Sequence, residues 1–151
     1  MDLIIETWQI HNRINLYLLD AIAESALADQ SASKGRTVGQ QFAHIHSVRM
    51  MWLKVAAPAL LEGLSKIEKE TISKENLKEA LILSENAVSQ LFETAIPTGK
   101  IKGFKPHATA FLGYIISHES HHRGQIMLAL KQSGHMVDQK TQYGLWEWGT
   151  R

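Results

Sequence analysis

The chain has 151 residues, of which 44% are hydrophobic and 21% are charged, and its net charge is +1 when the histidines are neutral. Length and composition fit one globular domain with a single core. The balanced charge, without a basic stripe, argues against a nucleic-acid partner. The sequence has no cysteine, which excludes disulfides, thiolate metal ligands and a protein thiol nucleophile. A metal would need histidine, carboxylate or backbone ligands, and thiol chemistry would need an external thiol.

The N-terminal segment, Met1 to Glu6, is interrupted by acidic residues and has no basic leader before an apolar stretch. It therefore does not resemble a signal peptide. No apolar run approaches the roughly 20 residues that a membrane-spanning helix needs. We expect a cytoplasmic protein without a membrane partner.

Apolar residues at helical spacing predict a first helix from about Leu3 to Ala28, followed by a polar segment over residues 29–36. Thr37 and Gln40 have the spacing of a capping box, which predicts the start of a second helix. That helix should end before Pro58. We expect its core face to consist of His44, Val48, Met51 and Val55.

Ser73 predicts the N-cap of a third helix, which continues at helical spacing to about Ala95. Proline and glycines predict a loop over residues 96–105. Pro106 suits the first turn of a fourth helix, and Gly134 predicts where it ends.

No region alternates at period two, so the sequence predicts an all-α fold, a four-helix bundle that forms a single domain over residues 1–151. After the fourth helix, Tyr143, Trp146 and Trp148 form an aromatic tail. We expect this tail to pack over the bundle or against a partner.

The fourth helix carries two histidines on its expected core face, which reads Phe111, Ile115, His118, His122, Ile126 and Ala129. Residues four apart differ by about 40° around a helix axis, so His118 and His122 project together. Buried imidazoles need partners for their nitrogens, and a divalent metal is one such partner. His44 could complete a three-histidine site for zinc or nickel. Three protein ligands leave a position open, as in catalytic sites.

Other histidines compete for these positions, because a single histidine on an apolar face is more often a hydrogen-bonded core residue than a ligand. His121 lies three residues after His118 and could share a metal with it. His46 could replace His44, although its stripe is less apolar. The remaining histidines, His11, His107 and His135, look ordinary, although His11 could approach the interior.

Several charged or polar residues could assist the site. Arg123 and Gln125 could orient an imidazole or hold an anionic substrate, but we favour a surface position for Arg123. A lysine-containing loop before the fourth helix could attract a carboxylate, although a solvated loop is the simpler interpretation. Its cations are Lys100, Lys102 and Lys105.

Residues 118–122 also match H-E-x-x-H, the zinc peptidase motif in which the glutamate is the general base. The pattern is short, its metzincin extension is absent, and only Glu147 offers a downstream carboxylate. A peptidase is therefore the weaker alternative. The competing interpretation of Glu119 is a solvated acid on the helix surface.

Two blocks of the sequence resemble the DinB family. Residues 37–45 (TVGQQFAHI) are similar to its second-helix signature, and residues 118–126 (HESHHRGQI) are similar to its fourth-helix signature. The spacing between the blocks and the total length also fit, so the resemblance covers essentially the whole chain. The fourth-helix block is the more specific of the two.

This resemblance implies a four-helix bundle of up-down-down-up order, a metal on His44, His118 and His122, and a homodimer. Family members include thiol-dependent transferases and proteins regarded as metal-dependent hydrolases. The expected substrate is therefore a small molecule, with a low-molecular-weight thiol as a second substrate. A non-enzymatic metal-binding sensor or interaction module is the alternative.

Overall fold

The computed structural model describes residues 2–151. These residues form five α-helices and four short 3-10 helices, and none of them belongs to a strand. The α-helices are α1 (Leu3–Asp20), α2 (Val38–Ala56), α3 (Lys74–Ala95), α4 (Ala108–Gln132) and α5 (Gln139–Gly144). The prediction of an all-α fold is confirmed. Across residues 2–151, every helix is too short or too polar to cross a bilayer.

The predicted helix starts are confirmed where capping side chains define them. The N–H of Gln40 donates to the Thr37 hydroxyl (3.2 Å), and the N–H of Thr37 donates to the Gln40 side chain (2.9 Å). The Ser73 hydroxyl accepts from the N–H of Asn76 (3.1 Å) at the start of α3. These bonds satisfy backbone N–H groups that have no partner inside the first helical turn.

Two predicted boundaries are wrong. α1 ends at Asp20, and the segment beyond it turns at Ala23 into a separate 3-10 helix, Glu24–Ala28. This helix buries two apolar side chains of its own, which gave the sequence its continuous helical appearance. α4 begins at Ala108, after Pro106, because the ring of His107 caps it by accepting from the N–H of Ala110 (3.1 Å).

Each of the first two helices packs against the last two long helices: α1 contacts α3 and α4, and α2 contacts the same pair. The core between them consists of two apolar clusters. One is built around Leu18, Phe42, Leu81 and Ile126. The other is built around Trp8, Leu53, Phe92 and Phe111. Each long helix contributes to both clusters.

A buried polar layer lies between the two apolar clusters. Its centre is an ion pair in which Arg49 of α2 donates to both oxygens of Glu119 of α4 (2.7 and 2.8 Å). Arg49 also donates to Asn12 of α1 (2.8 Å) and to Ser84 and the Leu81 carbonyl of α3 (3.1 and 3.0 Å). All five N–H donors of the guanidinium thus have acceptors, and the layer connects the four long helices.

Glu119 takes part in two further bonds of this layer, to His11 and Asn15 of α1 (both 2.8 Å). Burial alone would raise the pKa of Glu119, but the charge of Arg49 and the hydrogen bonds from Arg49 and His11 hold the pKa well below its ordinary value. Burial lowers the pKa of His11 despite the nearby carboxylate. We infer that His11 is neutral and Glu119 ionised.

The predicted core face of α2 is wrong. Met51 and Val55 are 50% and 45% exposed, whereas Arg49 and His46, on the stripe that looked less apolar, are buried. Arg49 can be buried because Glu119 compensates its charge in the polar layer. The face of α2 that contains Arg49 and His46 therefore lies toward the core. His44 lies at the edge of this face and is partly buried.

The C-terminal tail packs on α1, but Trp146 takes little part in this contact. The Gly144 backbone lies directly on the Tyr17 ring, where a side chain at position 144 would clash. The Arg151 guanidinium lies 3.8 Å from the centroid of the same ring. Tyr143 and Trp146 are 63% and 80% exposed.

We expect Arg49→Met to lower the free energy of unfolding by about 3–5 kcal/mol, because it leaves the Glu119 carboxylate buried without its counter-charge. Adding Glu119→Gln to this variant should recover part of the loss. Urea denaturation of metal-free protein measures both. The control is Lys78→Met, which breaks the half-exposed pair with Asp20 and should change little. Equal effects of Arg49→Met and Lys78→Met would contradict the role of the polar layer.

Candidate metal centre

The structure brings together the three histidines selected from the sequence. His118 and His122 lie one turn apart on α4, and their Nε2 atoms are 3.2 Å apart. The ring centroid of His44, on α2, lies 4.6 Å from that of His122 and 5.5 Å from that of His118. One ring nitrogen from each residue can be chosen so that all three lie within 4.8 Å of one another.

These three side chains fit a divalent transition metal. Two nitrogens bound to tetrahedral zinc at about 2.0–2.1 Å are separated by about 3.3 Å, close to the distance between the Nε2 atoms of His118 and His122. Neutral imidazoles are also ligands that zinc and nickel accept. The arrangement can therefore hold a metal through three nitrogens.

Gln41 determines which nitrogen of His122 is free to act as a ligand. Its side-chain oxygen lies 2.6 Å from Nδ1 of His122, inside the protein. Because a side-chain amide oxygen only accepts, the imidazole must carry its proton on Nδ1. The lone pair then resides on Nε2, the atom that faces His118. Such a bond also fixes the plane of the ring.

Burial and mutual repulsion keep these imidazoles neutral. Burial lowers the pKa of all three, and nearby positive charges lower it further, although the Glu119 carboxylate acts in the opposite direction on the pKa of His118. The effect is largest at His122, where burial and then the charges of His118 and His44 lower the pKa to about 4. A neutral ring is the form that binds a metal.

The competing histidines lie elsewhere. His121 is exposed and pairs with Gln125 (3.1 Å), although its ring is close to that of His122. His46 is buried and donates from Nε2 to the Ser65 carbonyl (2.8 Å). His11 belongs to the polar layer. In the part of the chain that the structure describes, none of the three joins the group that could hold a metal.

Both interpretations of Glu119 drawn from the sequence are wrong. Its side chain is fully buried, so it is no surface acid. Its two oxygens are occupied by Arg49, His11 and Asn15, so it is not available as a general base. The downstream carboxylate of Glu147 pairs with Arg151 (3.6 Å). The H-E-x-x-H pattern therefore does not form a peptidase site.

Arg123 is not a surface residue but part of the polar layer. It donates to the Asn15 side chain (2.6 Å) and to the Ser120 hydroxyl (3.0 Å). Gln125 pairs only with the exposed His121. The residue that orients a predicted ligand is Gln41, which the sequence analysis missed. Its only signal was its position inside the second-helix block, three residues before His44.

An open cleft of about 710 Å³ adjoins His44. The lysines before α4, which we considered as anion-attracting residues, do not line it. Instead its cations come from two connecting segments, as Arg36, Lys66 and Lys69. His44, one of the three histidines, thus lies beside a space large enough for a small molecule.

Comparison with known proteins identifies the family of this chain. The sequence model of the DinB family matches residues 1–150, and the chain belongs to the DinB family. Comparison with curated proteins gave no significant match. Comparison with solved structures gave none either.

We expect His122 of the metal-free protein to be found in the Nδ1–H form at pH values where the ring is neutral. In Gln41→Leu, which removes the acceptor, the ring should shift toward the Nε2–H form. Imidazole nitrogen chemical shifts measure the two forms. Gln125→Leu, which removes only the partner of His121, is the control. Unchanged shifts in Gln41→Leu would contradict the assignment.

Proposed function

We propose that His44, His118 and His122 bind a divalent transition metal, zinc or nickel, and that this DinB-family protein is a metalloenzyme acting on a small molecule. The reaction is metal-dependent hydrolysis or the transfer of a low-molecular-weight thiol to an electrophile. The observation that carries the proposal is the convergence of three neutral imidazoles from two helices, one of which, His44, lines an open cleft.

We also propose that α1 to α4 form a four-helix bundle of up-down-down-up order. The support is the composition of the two apolar clusters. One contains residues from the C-terminal halves of α1 and α4 and the N-terminal halves of α2 and α3. The other contains residues from the opposite halves. In such a bundle α2 and α4 are antiparallel neighbours, which lets His44 face His118 and His122.

The chain's own residues hold the metal, fix the proton of one ligand and admit the substrate. A bound divalent metal would supply a Lewis acid that lowers the pKa of a water or thiol at its open position. Three imidazoles hold the centre without adding negative charge, and Gln41 keeps the proton of His122 on Nδ1. The cleft beside His44 admits the substrate. Because the chain has no cysteine, any thiol that reacts must come from outside.

The homodimer and the cytoplasmic location implied by sequence and family remain predictions. The alternative of a metal-binding sensor or interaction module is supported by the exposed Tyr143 and Trp146, which offer a surface for a partner. It differs from the enzyme in having no reaction at the metal.

We expect protein purified without chelator or affinity metal to contain stoichiometric divalent metal by elemental analysis. Substituting alanine for any one of the three histidines should remove most of it, because the two remaining nitrogens bind weakly. His121→Ala is the matched control, since it removes a neighbouring imidazole outside the group. Full metal content in His122→Ala would reject the ligand assignment.

We expect the metal-loaded protein to consume a small electrophile faster when a low-molecular-weight thiol is present, or to hydrolyse activated esters or amides without it. The variants His44→Ala and His122→Ala should lose this activity while remaining folded. Measurements of thiol loss and of product formation separate the two reactions. A stoichiometric metal with no turnover in either screen would favour the sensor alternative.

A further inference from the structure

The cleft beside His44 has walls that come from outside the long helices. One wall is the segment between the first 3-10 helix and α2, which carries Arg36. The other is the segment that precedes α3, which carries Lys66, Glu68 and Lys69. The space they enclose therefore combines three cations with a single carboxylate.

The three cations have no charged partner in the part of the chain that the structure describes. Among residues 2–151, no ion pair includes Arg36, Lys66 or Lys69. Arg36 also lines a second, smaller cleft of about 240 Å³ on the side of Gln41 and Gln125. Arg36 is exposed and thus borders both the cleft that His44 lines and the cleft that Gln41 lines.

The segment that carries Arg36 is held in place by hydrogen bonds. Lys34 and Gly35 both have positive φ (70° and 95°), a conformation that is unfavourable for lysine. The turn is nevertheless fixed, because the Gln30 side chain donates to the Gly35 carbonyl (2.7 Å) and the Ala32 N–H donates to Gln132 of α4 (2.6 Å). This anchoring keeps the backbone at Arg36 beside the cleft that His44 lines.

The position of Arg36 opposes the binding of a metal alone. Arg36 brings a positive charge to the cleft that His44 lines. The same charge repels a divalent cation at that place. A ligand that carries a negative charge removes this repulsion, because it neutralises Arg36 while its other end lies at the metal.

We propose that the cleft binds the carboxylate of the substrate and that Arg36 is its main contact. Lys66 and Lys69 attract the carboxylate electrostatically. A guanidinium matches a carboxylate through two parallel hydrogen bonds, and Glu68 offsets only one of the three positive charges of the cleft. The proposal rests on the proposed function, because the reacting end of the same molecule lies at His44, His118 and His122. Arg36 then determines specificity.

The first test needs no metal. Metal-free protein is titrated with propionate and with propionamide, which has the same shape without the charge, and backbone amide shifts are followed by NMR. We expect propionate alone to shift residues 35–44 and 66–69, and Arg36→Gln to abolish the shifts. The control is Lys102→Gln, which removes a cation outside the cleft. Equal shifts with both compounds, or full shifts in Arg36→Gln, would overturn the proposal.

The second test links the carboxylate to the metal. Protein loaded with Co²⁺ is titrated with 3-mercaptopropionate and with 3-mercaptopropan-1-ol, and the thiolate-to-cobalt absorption gives both dissociation constants. We expect the acid to bind roughly tenfold more tightly at low salt, and we expect Arg36→Gln to remove the difference without loss of cobalt. Equal affinities in the unmodified protein would also overturn the proposal. Failure to bind cobalt overturns the proposed function instead, and the propionate titration still decides on the carboxylate site.

Discussion

Arg49 and Glu119 place one positive and one negative charge between two apolar clusters, and the arrangement of the four long helices depends on how these charges are satisfied. Removing both from water carries a penalty of several kcal/mol per ion. The penalty is offset only because each N–H of the guanidinium and both oxygens of the carboxylate have partners. Those partners come from every long helix, so a helix that slides or rotates leaves a charge unsatisfied.

This constraint also places the histidines. Glu119 directly follows His118 in α4, so the rotation that buries the carboxylate turns His118 and His122 toward α2. Arg49 lies five residues after His44, or about 7.5 Å along the helix axis. The ion pair therefore fixes the rotation of both helices near the site, although its hydrogen bonds go to residues other than the three imidazoles. The bond from Gln41 then orients the ring of His122.

Much of this could be predicted from local patterns. The helices, the caps at Thr37 and Ser73 and the shared face of His118 and His122 follow from spacing along the chain, because each depends on neighbours within a few residues. The core face of α2 could not be predicted in this way, since its burial depends on a carboxylate seventy residues away. The same pairing with Arg49 occupies Glu119, the glutamate of the H-E-x-x-H pattern. The pattern therefore suggested a general base that is not available. His44 was selected over His46 with the help of the family resemblance. The only signal for Gln41 was its position inside the second-helix block, and no local pattern indicated Arg36.

The segments that line the cleft lie outside the layer that holds the helices together. Arg36, Lys66 and Lys69 are exposed and belong to connections between helices, whereas Arg49 and Glu119 are inside them. Changes in the length or charge of these connections can alter which molecules reach the histidines without disturbing the buried charges. The architecture thus separates the part that fixes the three histidines from the segments that line the cleft beside His44, so the cleft can change while the histidines keep their positions.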